Sequence, residues 1–128
     1  MTTTFVNLPV RDLASAAEFY RALGFDADPA GPAGDSMTLT VSDGTRLVLH
    51  VRSAFEAYTG VAATDTAASR EVIVGLSAQS REQVDELVDR AVAAGGESLG
   101  PGSASGPMYM RGFRDPDGHQ WSFLHIAG

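Results

Sequence analysis

The side chains best suited to chemistry near neutral pH are three histidines, His50, His119 and His125. An imidazole can take a proton, orient a ligand or bind a divalent metal. No acid or nucleophile stands beside any of the three in the sequence in a way that would make it half of a catalytic pair. The chain has no cysteine, so there is no thiolate nucleophile, thiolate metal site or disulfide framework. Its nine basic residues are all arginine, which removes Schiff-base and pyridoxal chemistry on a lysine. Residues 95–107 are glycine-rich but lack the Lys and the spacing of a phosphate-binding loop, and no G-x-S-x-G elbow occurs. What remains is an imidazole serving as a base, or a lining residue in a site that only binds.

The elements that must position these residues are legible from pattern. Thr4 to Val10 reads as a strand, with Pro9 suited to an edge or bulge because it cannot donate to a ladder. Asp12 is a good N-cap for a helix from Leu13 to Leu23, whose stripe is Leu13, Ala16, Ala17, Tyr20 and Leu23 and whose C′ stop is Gly24. Strands at about 36–42 and 46–52 follow, joined at Asp43-Gly44. Residues 53–69 are small, polar and aperiodic apart from a short helical turn around Phe55-Glu56-Ala57-Tyr58. The order then repeats. Residues 71–77 read as a strand, Ser80-Arg81-Glu82-Gln83 as a capping box, and Val84, Leu87, Val88, Ala91 and Val92 as the buried stripe of a helix ended by Gly95-Gly96. Strands near 97–99, 107–113 and 120–126 complete the second unit, and the stretch 95–107 reads as a flexible loop or lid. In the last hairpin Asp115-Pro116-Asp117-Gly118 supplies a Pro that presets φ and a Gly that accepts φ > 0.

At 128 residues the chain is long enough for a sizeable core in a single domain. Its formal charge of −7 argues against nucleic acid and anionic membranes, which call for basic patches. No apolar run approaches the length of a membrane span, and Met1-Thr2-Thr3-Thr4 lacks a signal-peptide pattern, so the expected location is cytoplasmic.

The hairpin Asp115-Pro116-Asp117-Gly118-His119 and its following strand Gln120 to His125, together with Asn7-Leu8-Pro9-Val10-Arg11-Asp12-Leu13 and Glu18-Phe19-Tyr20-Arg21-Ala22-Leu23-Gly24-Phe25, resemble the vicinal oxygen chelate superfamily. That superfamily contains glyoxalases, bleomycin-resistance proteins and extradiol dioxygenases. The resemblance covers essentially the whole chain. It implies an α+β fold of two βαβββ modules, at about 1–53 and 70–128 with a linker between, in a curved, mostly antiparallel sheet around a cavity with helices on the outer face. It also implies four metal-ligand positions, which fall at Phe5, at His50 or Leu49, at Ile73 and at Ser122. Only the histidine among these is a good ligand, and Glu71 lies two positions away from Ile73, so the expectation is a member without metal or other cofactor.

Strand parity separates a uniformly apolar face, which should meet the helices, from a mixed one. The mixed face supplies the expected ligand-binding residues: Phe5, Asn7, Thr38, Thr40, Val48 and His50 from the first module, and Ile73, Met108, Met110, Ser122 and Leu124 from the second. The placement of Met108 and Met110 there comes from the resemblance; plain core filling is the other reading of both. Arg111 either reaches an acidic ligand group at the mouth or pairs with Asp115 or Asp117. His119 is expected to be solvated or to cap its strand, and His125 to be a core or rim residue. The function implied is metal-independent binding of a bulky, partly apolar small molecule, with an antibiotic sequestered by a homodimer as the leading case. The alternative is a glyoxalase- or dioxygenase-like lyase or isomerase that uses a metal or His50 as base. Whether the modules pair within or between chains stays open.

Overall fold

A computed structural model describes residues 2–28 and 34–127, so the outermost residues of the two expected modules, Met1 and Gly128, lie outside it. The chain is α+β and divides into two compact units, Met1–Thr64 and Asp65–Gly128.

The first unit contains β1 (Thr4–Val10), α1 (Leu13–Ala22), β2 (Asp26–Ala27), β3 (Ser36–Ser42), β4 (Thr45–Val51) and α2 (Arg52–Thr59). Its four strands run in the order β1-β4-β3-β2, with β1 parallel to β4 and the other pairs antiparallel. The caps of α1 are the expected ones. Asp12 accepts from the Ser15 backbone N–H at 2.9 Å and its hydroxyl at 2.7 Å, and these bonds hold its carboxyl below the usual range. Gly24 takes φ +95° just past the helix end, a conformation only glycine adopts without strain. Ala16, Ala17, Tyr20 and Leu23 are buried as expected. Phe19 is buried as well, its ring edge-on to Tyr20 at 5.0 Å, so the buried stripe is wider than its spacing suggested. Helix α1 lies against β3 and β4, whose Leu39, Leu47 and Leu49 are fully buried.

The second unit repeats this order with β5 (Ile73–Ser77), α3 (Arg81–Ala93), β6 (Glu97–Ser98), β7 (Ser103–Ser105), β8 (Met108–Arg114) and β9 (Gln120–Ile126). Its sheet runs β5-β9-β8-β6, with β5 parallel to β9 and β7 added to the edge of β8. Each sheet is therefore mixed, because the first strand of each unit lies parallel to the last. Ser80 Oγ accepts from the Gln83 N–H at 3.0 Å, while Gln83 Oε1 reaches back to the Gln79 N–H at 2.6 Å, one residue earlier than the usual box. Val84, Val88 and Ala91 are fully buried, together with Phe113, Trp121 and Phe123 on the strands beneath.

Several expectations are corrected. Val92 is exposed, since α3 turns it past the edge of the buried stripe. Glu71 and Val72 precede β5 rather than belonging to it. The strand expected near 97–99 is present as β6, but the rest of the stretch 95–107 is not simply a loop. It adds β7, and β6 and β7 pair in succession with the same edge of β8, Glu97 opposite Arg114 and Ser103 opposite Met110. Residues 52–59 form a full helical segment where one turn was expected. Gly60 at φ +76° ends it, and Glu56 ties it to the chain beyond by accepting from the Ala63 N–H at 2.6 Å.

Candidate functional site

Register gives each unit one face that carries its expected binding residues. In the first unit Asn7 stands beside Val48, and Val48 beside Thr38. Phe5, Arg46 and Thr40 form the next row, and Pro9, His50 and Ser36 the one after that. Partners in register point to the same side of a sheet, so Phe5, Asn7, Thr38, Thr40, Val48 and His50 share a face. Leu49 faces the other way and is fully buried, so of the two only His50 lies on the face with Phe5. In the second unit the rows are Ile73–Gln120–Arg114, Gly75–Ser122–Gly112, Ser77–Leu124–Met110 and Ile126–Met108. Ile73, Met108, Met110, Ser122 and Leu124 thus share a face of their own sheet. The centre of that face is its smallest row, with Ser122 buried between two glycines.

His50 is the chemical centre of the first unit. It is only 8% exposed, and its Nε2 lies 2.8 Å from Asn7 Oδ1. Asn7 Nδ2 in turn faces the Phe5 carbonyl at 3.5 Å. Flipping the amide would bring oxygen against oxygen there, so Oδ1 faces the imidazole and Nε2 carries the proton. Nδ1 is then a bare acceptor, and it is buried without a partner. Two rings flank the imidazole: Tyr58 at 5.5 Å, nearly edge-on, and Phe55 at 6.3 Å. Sequence reasoning did not place these rings at the site. Their signal was the i, i+3 aromatic spacing directly after the strand that bears His50.

Burial lowers the His50 pKa from its ordinary 6.5, with the Asp35 carboxylate opposing the shift. A histidine that resists protonation in the folded chain stabilises that chain fully above its unfolded pKa. The contribution is lost as pH falls from 6.5 to the lowered folded value, where the unfolded chain takes up a proton first. Denaturant melts stepped down from neutral pH should therefore show the wild type losing stability in that window. His50→Gln should lose less over the same interval, and equal slopes would refute the assignment.

The other functional candidates have structural roles. Arg111 reaches neither a ligand position nor Asp115 or Asp117. It shares the side of β8 that packs on α3, where its Nη1 meets Asp89 at 3.0 Å and Asp85 at 3.6 Å, while Nε donates to the Gly100 carbonyl at 3.1 Å. Tyr109 donates its hydroxyl to Asp85 at 2.7 Å, which raises its pKa. His119 contributes its backbone, with its N–H donating to Asp115 Oδ1 at 2.9 Å. His125 Nδ1 donates to the Ala78 carbonyl at 3.0 Å, so its proton is on Nδ1.

A divalent metal does not fit the residues present. The four positions expected to ligate it offer one imidazole, one hydroxyl and two hydrocarbon side chains, and the imidazole's Nε2 is engaged by Asn7. Among the described residues no three His, Cys, Asp or Glu side chains come together in a way that could hold a metal ion. No described helix is long and apolar enough to cross a membrane.

Comparison with known proteins agrees with this architecture. The chain is similar to the solved structure of hypothetical protein SA1046 from S. aureus, at 28% identity and a TM-score of 0.86 over 98% of this chain and 95% of that one. It is similar to a glyoxalase-related enzyme from Fulvimarina pelagi, at 25% identity and a TM-score of 0.82 over 97% and 87%. It also shares its fold with a lactoylglutathione lyase from Agrobacterium tumefaciens, at 20% identity and a TM-score of 0.68 over 97% and 92%. No curated protein matches the chain. The family model that does match spans residues 3–123, nearly the whole sequence, and through it the chain belongs to the Glyoxalase/Bleomycin resistance protein/Dioxygenase superfamily.

Proposed function

We propose that the chain is a metal-independent binder of a bulky, partly apolar small molecule, and that it acts as a homodimer which sequesters an antibiotic without altering it. The observation that carries this reading is the donor set. Where the resemblance implies four metal ligands, the chain offers Phe5, Ile73, a serine and one histidine already bonded to Asn7. The same substitutions make the two faces suitable for binding. Phe5 and Ile73 are each 58% exposed, and such apolar surface gives affinity while a few polar groups set orientation. The acidic balance of the sequence favours an uncharged or basic ligand over an anion.

The test is metal analysis of the purified protein, followed by thermal shifts with divalent ions and with a panel of antibiotics. The expected outcome is no stoichiometric metal, stabilisation by at least one drug, and recovery of that drug unchanged. Phe5→Ala or Met110→Ala should then weaken binding about tenfold. Stoichiometric zinc, nickel or iron at His50 would sink this reading.

One observation favours a second reading. The bare, unpartnered Nδ1 of His50 also has the form of a general base, and its lowered pKa keeps it unprotonated near neutral pH. A metal-free lyase or isomerase built on it would convert its ligand, and His50→Ala would abolish that turnover. An unchanged ligand, or equal turnover in the variant, removes this alternative.

A further inference from the structure

We infer that His50 Nδ1 is the hydrogen-bond acceptor for the bound molecule, and that the ligand is an aromatic compound carrying an uncharged N–H or O–H donor beside its ring. The inference rests on the metal-free binding reading above and names the ligand class which that reading leaves open. Four observations support it.

The proton of the imidazole is committed. Nε2–H donates to Asn7 Oδ1 at 2.8 Å, and Asn7 is oriented by its own contact with the Phe5 carbonyl. The second nitrogen is left as an acceptor, buried and unpartnered. Buried polar groups are nearly always satisfied, so such an orphan marks a place where something outside the chain completes the bond. The surroundings of the ring are aromatic, with Phe55 and Tyr58 beside it, and such rings prefer edge or offset contacts with another ring. The helix that carries these rings is open to solvent: no residue of α2 is buried, and Tyr58 is 81% exposed, so a guest ring can reach it.

The same geometry excludes other ligands. A carboxylate or phenolate would set its lone pairs against the Nδ1 lone pair, in the field of Asp35, which acts on His50. An aromatic compound without a donor would leave the acceptor unpaired. Exclusion of wrong ligands by an unpaired polar group in the site is the strong form of small-molecule discrimination.

The experiment compares indole with N-methylindole, and phenol with anisole, adding benzoate as the anion. Full-length, nitrogen-15-labelled protein is titrated with each compound while the His50 ring nitrogens are followed by long-range proton–nitrogen spectra. The free protein is expected to show the Nε2–H tautomer at neutral pH. Indole and phenol should move the Nδ1 resonance in the direction of hydrogen-bond acceptance and bind about tenfold more tightly than their methylated partners. Benzoate should leave His50 unmoved. Equal affinity within each pair overturns the inference, as does an Nδ1–H tautomer, or no response at His50 with indole and phenol at their solubility limits. These failures leave the metal-free binding reading standing. That reading fails on a different signal, stoichiometric zinc binding that shifts both ring nitrogens. The comparison is made on the wild-type chain, so no variant has to fold for the result to count.

Discussion

Asp115→Ala is expected to lower stability by about 3 kcal/mol and Tm by about 10 °C, a large effect for one surface turn. The reason is that Asp115 is not a surface residue. It is 5% exposed and acts as the hub of the turn that joins β8 to β9. Its Oδ1 accepts from the backbone N–H of Asp117 at 3.0 Å and of His119 at 2.9 Å, while Oδ2 accepts from the Trp121 indole at 3.2 Å. Its own backbone closes the turn, with its N–H donating to the His119 carbonyl and its carbonyl accepting from Gly118. Alanine would remove three bonds made to the carboxylate, one of them from the indole N–H of Trp121, which is 1% exposed. Asp115→Asn, which keeps one acceptor oxygen, should cost about half as much. Denaturant melts of the three proteins decide the matter. A loss no larger than that of an ordinary exposed aspartate would show that the hub carries little weight.

The same turn bears on how much of the molecule its sequence made legible. Asp-Pro-Asp-Gly signals a tight turn by local chemistry alone, and Gly118 indeed takes φ +85°. The clasp on Trp121 is not local in that sense, because it depends on which way the indole faces once β9 is paired. Other elements divide along the same line. The bounds of β1, β3 and β9 and both ends of α1 follow from alternation, a capping aspartate and a terminating glycine, all readable within a few residues. Strands β2 and β7 are two or three residues long and rich in small side chains, so nothing but their pairing with β3 and β8 makes them strands, whereas β6 falls where a short strand is expected near 97–99. Arg111 was not legible. The sequence points it to the mouth or to Asp115 or Asp117, whereas it lies on the α3 side of β8, where its partners are set by the one-turn spacing of Asp85 and Asp89 on that helix. At the candidate site, the opposite facing of His50 and Leu49 came from alternation. The aromatic flank came from α2, a short helix that lies against β4 and β1 and is tied to the chain beyond by the Glu56–Ala63 bond and an Arg52 contact to the Ala63 carbonyl.

The packing beneath the second face leads to the other large effect. Phe113 is fully buried on β8, near-parallel to Trp121 at 6.3 Å and to Phe123 at 5.8 Å. The three rings stand on the α3 side of the sheet, opposite the row Gly75–Ser122–Gly112. That row has almost no side-chain volume of its own, so the position of its strands depends on the packing of the rings behind them. Phe113→Ala should cost about 4 kcal/mol, from lost apolar burial plus the cavity that two large neighbouring rings cannot close. Phe113→Leu keeps most of the volume and should cost about 1 kcal/mol. Both figures are checked by urea melts with an unchanged m-value. The two variants also separate stability from site geometry. If the rings set the face, Phe113→Leu should stay folded while its amide resonances at Gly75, Gly112 and Ser122 shift. A folded leucine variant with those three resonances unmoved would show that the strands hold their own positions, and that the ring stack contributes stability alone.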